Sequence, residues 1–71
     1  MFNDAILDQL RQLEREVIEG ERRLAQQEAM IVDLKRQHQD PSDAEAELEI
    51  MRANQRQRQQ DRQRLLSLMQ R

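Results

Sequence analysis

Apolar residues recur along this chain at steps of three and four, in two runs separated by Asp40-Pro41. The first run is Ile6, Leu10, Leu13, Val17, Leu24, Ile31 and Leu34, and the second is Ala44, Leu48, Met51, Leu65 and Met69. Spacing of this kind lays one apolar stripe along a helix and suits packing against another helix. Pro41 drives the backbone of Asp40 out of the helical region, so the first helix must end by there. The pattern therefore predicts a helix over about 3–38, a turn over about 39–42 and a helix over about 43–69. A connection this short forces antiparallel neighbours. The expected fold is all-α: one antiparallel, coiled-coil-like helical hairpin occupying residues 1–71.

The ends of the two helices carry their own signals. Asn3 can cap the first, and Asp4 and Asp8 suit its positive end. For the second, two caps compete. Asp40 could cap with Pro41 at the first helical position; alternatively Ser42 caps and Glu45 closes a capping box. The second arrangement is the one preferred here. Gly20 falls on the seam of the first helix, where it costs about 1 kcal/mol relative to Ala. Its missing side chain is expected to admit a bulky neighbour rather than to form a hinge.

A hairpin folded at this turn pairs residues whose numbers sum to about 81, the sum of the expected helix ends. That register sets Lys35 and Arg36 opposite Asp43, Glu45 and Glu47. It also sets Glu14, Glu16, Glu19 and Glu21 opposite the stretch holding Arg58, Arg62 and Arg64. Opposite charges meet at both ends, which supports orientation and register more than stability.

Three departures from a simple hairpin point outward. Residues 54–64 contain no apolar side chain, so the middle of the seam is expected to be polar, with apolar clamps at both ends. Under the 81 register, Phe2, Ala5, Ile6 and Leu7 overhang the second helix and need cover from elsewhere. Ile18, Ala25 and Val32 form a second apolar line at seven-residue spacing, with Ala29 nearby. Met30-Ile31-Val32 spans too much arc for one partner helix. The expected dimer or partner interface is therefore Phe2, Ile6, Leu7, Ile18, Ala25 and Val32. It would join two copies into a four-helix bundle.

Composition reinforces this picture. The 71 residues include 12 Lys or Arg, 14 Asp or Glu, one aromatic and no Cys. A chain of this size buries a limited share of its surface, and no disulfide or thiolate-bound metal can staple it. No stretch is long and apolar enough to span a bilayer, and the acidic start lacks the features of a secretory signal, so the expected location is cytoplasmic. The chemistry of catalysis is missing: no Cys, Thr, Tyr or Trp is present, and the only hydroxyls are Ser42 and Ser67. The expectation is a protein that is not an enzyme and carries no cofactor. His38, Asp40, Asp43 and Glu47 gather near the turn, yet the Glu-x-x-His motif of metal-binding bundles is absent. A histidine close to a helix C-terminus is accounted for by the dipole.

Nucleic acid is the main competing partner. Residues 52–71 hold six Arg against one Asp, whereas residues 41–51 hold four acidic residues and no basic one. Arg52, Arg56, Arg58, Arg62 and Arg64 could contact RNA phosphates. Against this, the Arg residues are spread around the helix, acidic residues lie opposite many of them, and no aromatic is interleaved for stacking.

The segments Glu21-Arg22-Arg23-Leu24-Ala25-Gln26-Gln27, then Ile31 and Leu34, then Asp40 to Leu48, and Arg64-Leu65-Leu66 resemble a group of short helical-hairpin proteins of alphaproteobacteria. The resemblance covers residues 20–69 and implies a helical hairpin, with no activity attached. In plan alone the chain is also similar to the Rop-like RNA modulators, which are dimeric four-helix bundles. The function expected from all of this is a small scaffold or regulatory adaptor acting as a homodimer, with a Rop-like RNA-binding modulator as the alternative.

Overall fold

The computed structural model describes residues 2–70, with side chains from 4 to 70. It is an all-α hairpin of two helices, α1 (Phe2–Arg36) and α2 (Ser42–Met69). At 1.5 Å per residue a 35-residue helix is about 52 Å long, and the molecule is a rod of 55 × 15 × 14 Å. The side chains of Phe2 and Asn3, and with them the proposed cap and one proposed interface residue, lie outside the described residues.

α1 stops two residues before the expected end, through a Schellman turn. The Gln39 N–H donates to the Leu34 carbonyl at 2.9 Å and the His38 N–H to the Lys35 carbonyl at 3.1 Å. His38 takes the left-handed conformation that such a turn requires, with φ 58. A side chain there costs about 1–2 kcal/mol, and glycine is the usual occupant. His38→Gly is therefore expected to raise stability by about 1 kcal/mol in urea unfolding. An unchanged or lowered midpoint would show that the imidazole supplies a compensating contact.

α2 begins at Ser42 with Pro41 as its N-cap residue, and the side-chain acceptor at its start is Asp40. The Asp40 Oδ1 accepts the Ser42 N–H at 3.0 Å and the Ser42 hydroxyl at 2.6 Å. The first helical bond runs from the Glu45 N–H to the Pro41 carbonyl at 2.8 Å. The preferred Ser42–Glu45 box does not form, because Pro41 holds the N-cap position and Ser42 is already the first helical residue, with its hydroxyl turned to Asp40. Those two bonds, the hydroxyl first and the backbone N–H second, hold the Asp40 carboxyl below its ordinary pKa. A depressed carboxylate stabilises the fold above its unfolded pKa and loses that effect as pH falls through the folded one. Asp40→Ala should therefore lower Tm at pH 7, and the gap from wild type should close below about pH 4. A gap independent of pH would rule out the charged cap.

The seam of the hairpin is continuous. On α1 it steps through Ile6, Leu10, Leu13, Val17, Gly20, Leu24, Gln27, Ile31 and Leu34; on α2 through Ala44, Leu48, Met51, Gln55, Arg58, Arg62, Leu65 and Met69. Ile31, Ala44 and Leu48 form a buried cluster near the turn, with Leu24 and Leu34 packed against it. Ile6 and Leu10 are buried at the far end, where Leu13, Leu65 and Leu66 are half-buried. Met69, expected in the core, is 39% exposed because α2 ends there. Among the described residues no side chain is completely shielded from water, as two helices alone cannot enclose one.

The register differs from the expected one. Gln27 reaches Ala44, Gln55 reaches Val17, Glu14 pairs with Arg62, and Lys35 pairs with Glu45, so paired numbers sum to 71–80. The early stop of α1 at Arg36 causes the shift: the flanking helix ends, Arg36 and Ser42, sum to 78 rather than 81. The last turns of α2 consequently reach the first turns of α1, and Asp8, Gln12 and Leu13 share a groove with Asp61, Arg64 and Leu65. The predicted overhang is thereby corrected. Ile6 is only 6% exposed within the single chain and is not available as an interface residue; Leu7 is half-buried beside it.

Candidate interaction surface

Three features of the hairpin could carry function: the polar middle of the seam, the Arg residues of α2, and the outer face of α1.

In the middle of the seam, Gln55 is 7% exposed, the one buried polar side chain among the described residues. Its Nε2 donates to the Val17 carbonyl at 2.8 Å, and its Oε1 accepts from Arg58 Nη1 at 3.0 Å. Gly20 makes the room. A Cβ at position 20 would run into the Gln55 carboxamide and stand 3.2 Å from Arg58 Nη1. A second bond of the same type runs the other way, from Gln27 Nε2 to the Ala44 carbonyl at 2.9 Å. Each helix thus lends a glutamine to the backbone of the other. The sequence marked residues 54–64 as a polar layer but not Gln55 itself. The signal that singles it out is the unbroken four-three stepping from Ala44 to Met69, in which position 55 follows Met51.

The five arginines proposed for RNA contact are mostly engaged with the chain. Arg58 bonds Gln55, Arg62 pairs with Glu14 at 3.6 Å, Arg52 with Glu49 at 3.1 Å, and Arg64 with Asp61 at 3.1 Å. Arg58 and Arg62 point into the seam and are half-buried. Arg56 is exposed, beside Leu24, Gln59 and Gln60 along one groove. The pairs with Glu14 and Lys35–Glu45 at 3.6 Å are the cross-helix attractions expected at the two ends. The first is partly and the second well exposed to solvent, and each contributes about 0–1 kcal/mol.

The outer face of α1 carries an exposed apolar line. Ile18 is 69% and Val32 48% exposed, with exposed Ala25 midway between them. Ile18 stands at the rim of a groove lined by Glu14, Val17, Glu21, Gln59 and Arg62. Met30 lies in a different groove, with Gly20, Gln27, Glu47 and Met51, so it does not extend the same line. Exposed Ile50 on α2 is flanked by small or polar residues and stands alone. On the polar part of α1, Glu19 accepts from Arg22 at 2.6 and 3.1 Å and from Arg23 at 3.2 Å. The hydrogen bond with Arg22 leads in lowering the Glu19 pKa and raising that of Arg22.

Among the described residues no three His, Cys, Asp or Glu side chains converge as a metal site, and no helix is long and apolar enough to cross a membrane. His38 and Asp40 are both committed to the turn. Comparison with protein-family models, with curated proteins and with solved structures finds no match to this chain.

Proposed function

We propose that this chain is a small non-enzymatic protein–protein interaction module that acts as a homodimer, two hairpins packing into a four-helix bundle. The observation that carries the reading is the exposed Ile18–Ala25–Val32 line on an otherwise complete hairpin. Surface area supports it. The chain exposes 5661 Å², whereas a folded monomer of 8.6 kDa exposes about 4,700 Å². The excess of roughly 1,000 Å² compares with the approximately 800 Å² that each partner buries in a standard interface. Association also supplies the burial that a two-helix core lacks.

Sedimentation equilibrium tests the proposal. Wild type is expected near 17 kDa, twice the 8.6 kDa of the chain. Ile18→Asp/Val32→Asp is expected to sediment as a monomer with its helical circular dichroism retained, since both side chains lie outside the hairpin core. A wild type that stays monomeric, or a double variant that dimerises as well as wild type, overturns the reading.

A further inference from the structure

We infer that the two copies join through the outer face of α1 with their α1 helices parallel, not antiparallel. This rests on the homodimer proposed above and adds its orientation.

The argument starts from the rows that flank the Ile18–Ala25–Val32 line. Residues three positions on, or four back, at 14, 21, 28 and 35, are Glu14, Glu21, Glu28 and Lys35. Residues four positions on, or three back, at 15, 22 and 36, are Arg15, Arg22 and Arg36, with Ala29 between them. One edge of the line is therefore acidic and the other basic, since positions three and four apart lie on opposite sides of a helical stripe.

Symmetry then decides the orientation. A two-fold axis running along two parallel helices carries the acidic edge of one copy onto the basic edge of the other. A two-fold axis perpendicular to the helices, which pairs them antiparallel, brings acidic edge to acidic edge and basic to basic. Unlike charges across a seam select the arrangement, and like charges oppose it. In the parallel dimer Glu14 and Glu21 stand at the heights of the partner copy's Arg15 and Arg22.

Glu14 is held by Arg62 of its own α2 and Arg36 by Asp33, which leaves Glu21, Glu28, Arg15 and Arg22 to carry the two edges. Glu21 and Glu28 are exposed and make no hydrogen bond or ion pair with another described residue. Arg15 contacts only the neutral Gln12, at 2.6 Å. Arg22, although bonded to Glu19, keeps its side chain 61% exposed. Lys35, which would break the acidic row at its turn end, is drawn aside by Glu45 of its own α2. Small Ala25 at the centre of the line allows the two helices to approach closely. On α2, Ile50 is a single exposed apolar side chain without such paired edges, and the exposed Leu68 and Met69 lie at the helix end.

The chain has no Cys, which makes the test direct. Ile18→Cys, Ala25→Cys and Val32→Cys are prepared singly and oxidised with copper phenanthroline. Crosslinking is read on non-reducing gels, with sedimentation of each reduced protein alongside. In a parallel dimer all three variants crosslink to themselves. A mixture of Ile18→Cys with Val32→Cys then gives no crosslinked heterodimer, because those positions are about 21 Å apart along the axis. If only Ala25→Cys crosslinks to itself, and the other two crosslink only when mixed, the helices are antiparallel and the inferred orientation is overturned while the dimer stands. A dimer in which none of the three crosslinks moves the interface to another face and overturns it as well. Monomeric reduced proteins, with a monomeric wild type, remove the homodimer itself.

Discussion

Leu48→Ala is expected to lose about 2–4 kcal/mol of stability in urea unfolding followed by circular dichroism, and Ile31→Ala a comparable amount. Both residues are buried in the cluster beside the turn, with Ala44 as the third member. Truncation there removes apolar burial and leaves a void that Leu24 and Leu34 fill only in part. A 71-residue fold has roughly 4–10 kcal/mol of total stability, so either change removes a substantial share of it. Ile50→Ala serves as the control. Ile50 is 56% exposed, two positions from Leu48 on the same helix, and its loss should shift stability by no more than about 0.5 kcal/mol. If the two substitutions cost the same, the face that α2 turns toward α1 is not the one described.

The second large effect is a coupling between Gly20 and Gln55. Gln55→Ala should cost about 1–2 kcal/mol, from a buried hydrogen bond and the packing of the side-chain stem. It leaves no orphaned acceptor, since the Val17 carbonyl lies within α1. Gly20→Ala alone should be close to neutral. The added methyl raises helix propensity by about 1 kcal/mol, but it displaces the Gln55 carboxamide from the notch. Once Gln55 is already Ala, the same change should stabilise by about 1 kcal/mol, as nothing remains to displace. The coupling energy of this double-mutant cycle is therefore expected near 1 kcal/mol. Additivity within about 0.3–0.5 kcal/mol would mean that the glycine and the glutamine act independently.

Much of the hairpin was legible from residue spacing. Ile6 to Leu34 and Ala44 to Met69 keep the four-three rhythm, and Asp40-Pro41 forces the break. The value of Gly20 as a notch was also readable, because it falls on the seam. The register was not. It depends on where α1 stops, and that is set by His38 entering the left-handed region, a conformation that apolar periodicity does not encode. The difference of two residues at Arg36 was enough to cover Ile6 from within the chain and to remove it from the interface. The cap was misassigned for a related reason. Ser42 and Asp40 are both capping residue types, and Pro41, which has no N–H to satisfy, leaves the Ser42 N–H as the donor Asp40 can reach. Gln55 escaped because polarity marks a position as exposed unless the seam is followed through it. The outer line of α1 was legible, since Ile18, Ala25 and Val32 repeat every seven residues and have no place on the inner seam.

The two glutamine bonds between the helices end on main-chain carbonyls, at Val17 and Ala44. Carbonyls of this kind recur at every residue of a helix, so the acceptors alone cannot tell one alignment from the next. Sliding α2 by seven residues along α1 would offer Gln55 an equivalent oxygen. It would also bring the carboxamide against Leu13 or Gln27 in place of Gly20, and the chain contains one glycine. Substitutions at positions 17 and 44 can thus drift without deleting either bond. A second glycine at 13 or 27 would instead remove the steric part of that choice, leaving the turn between the helices to hold the alignment.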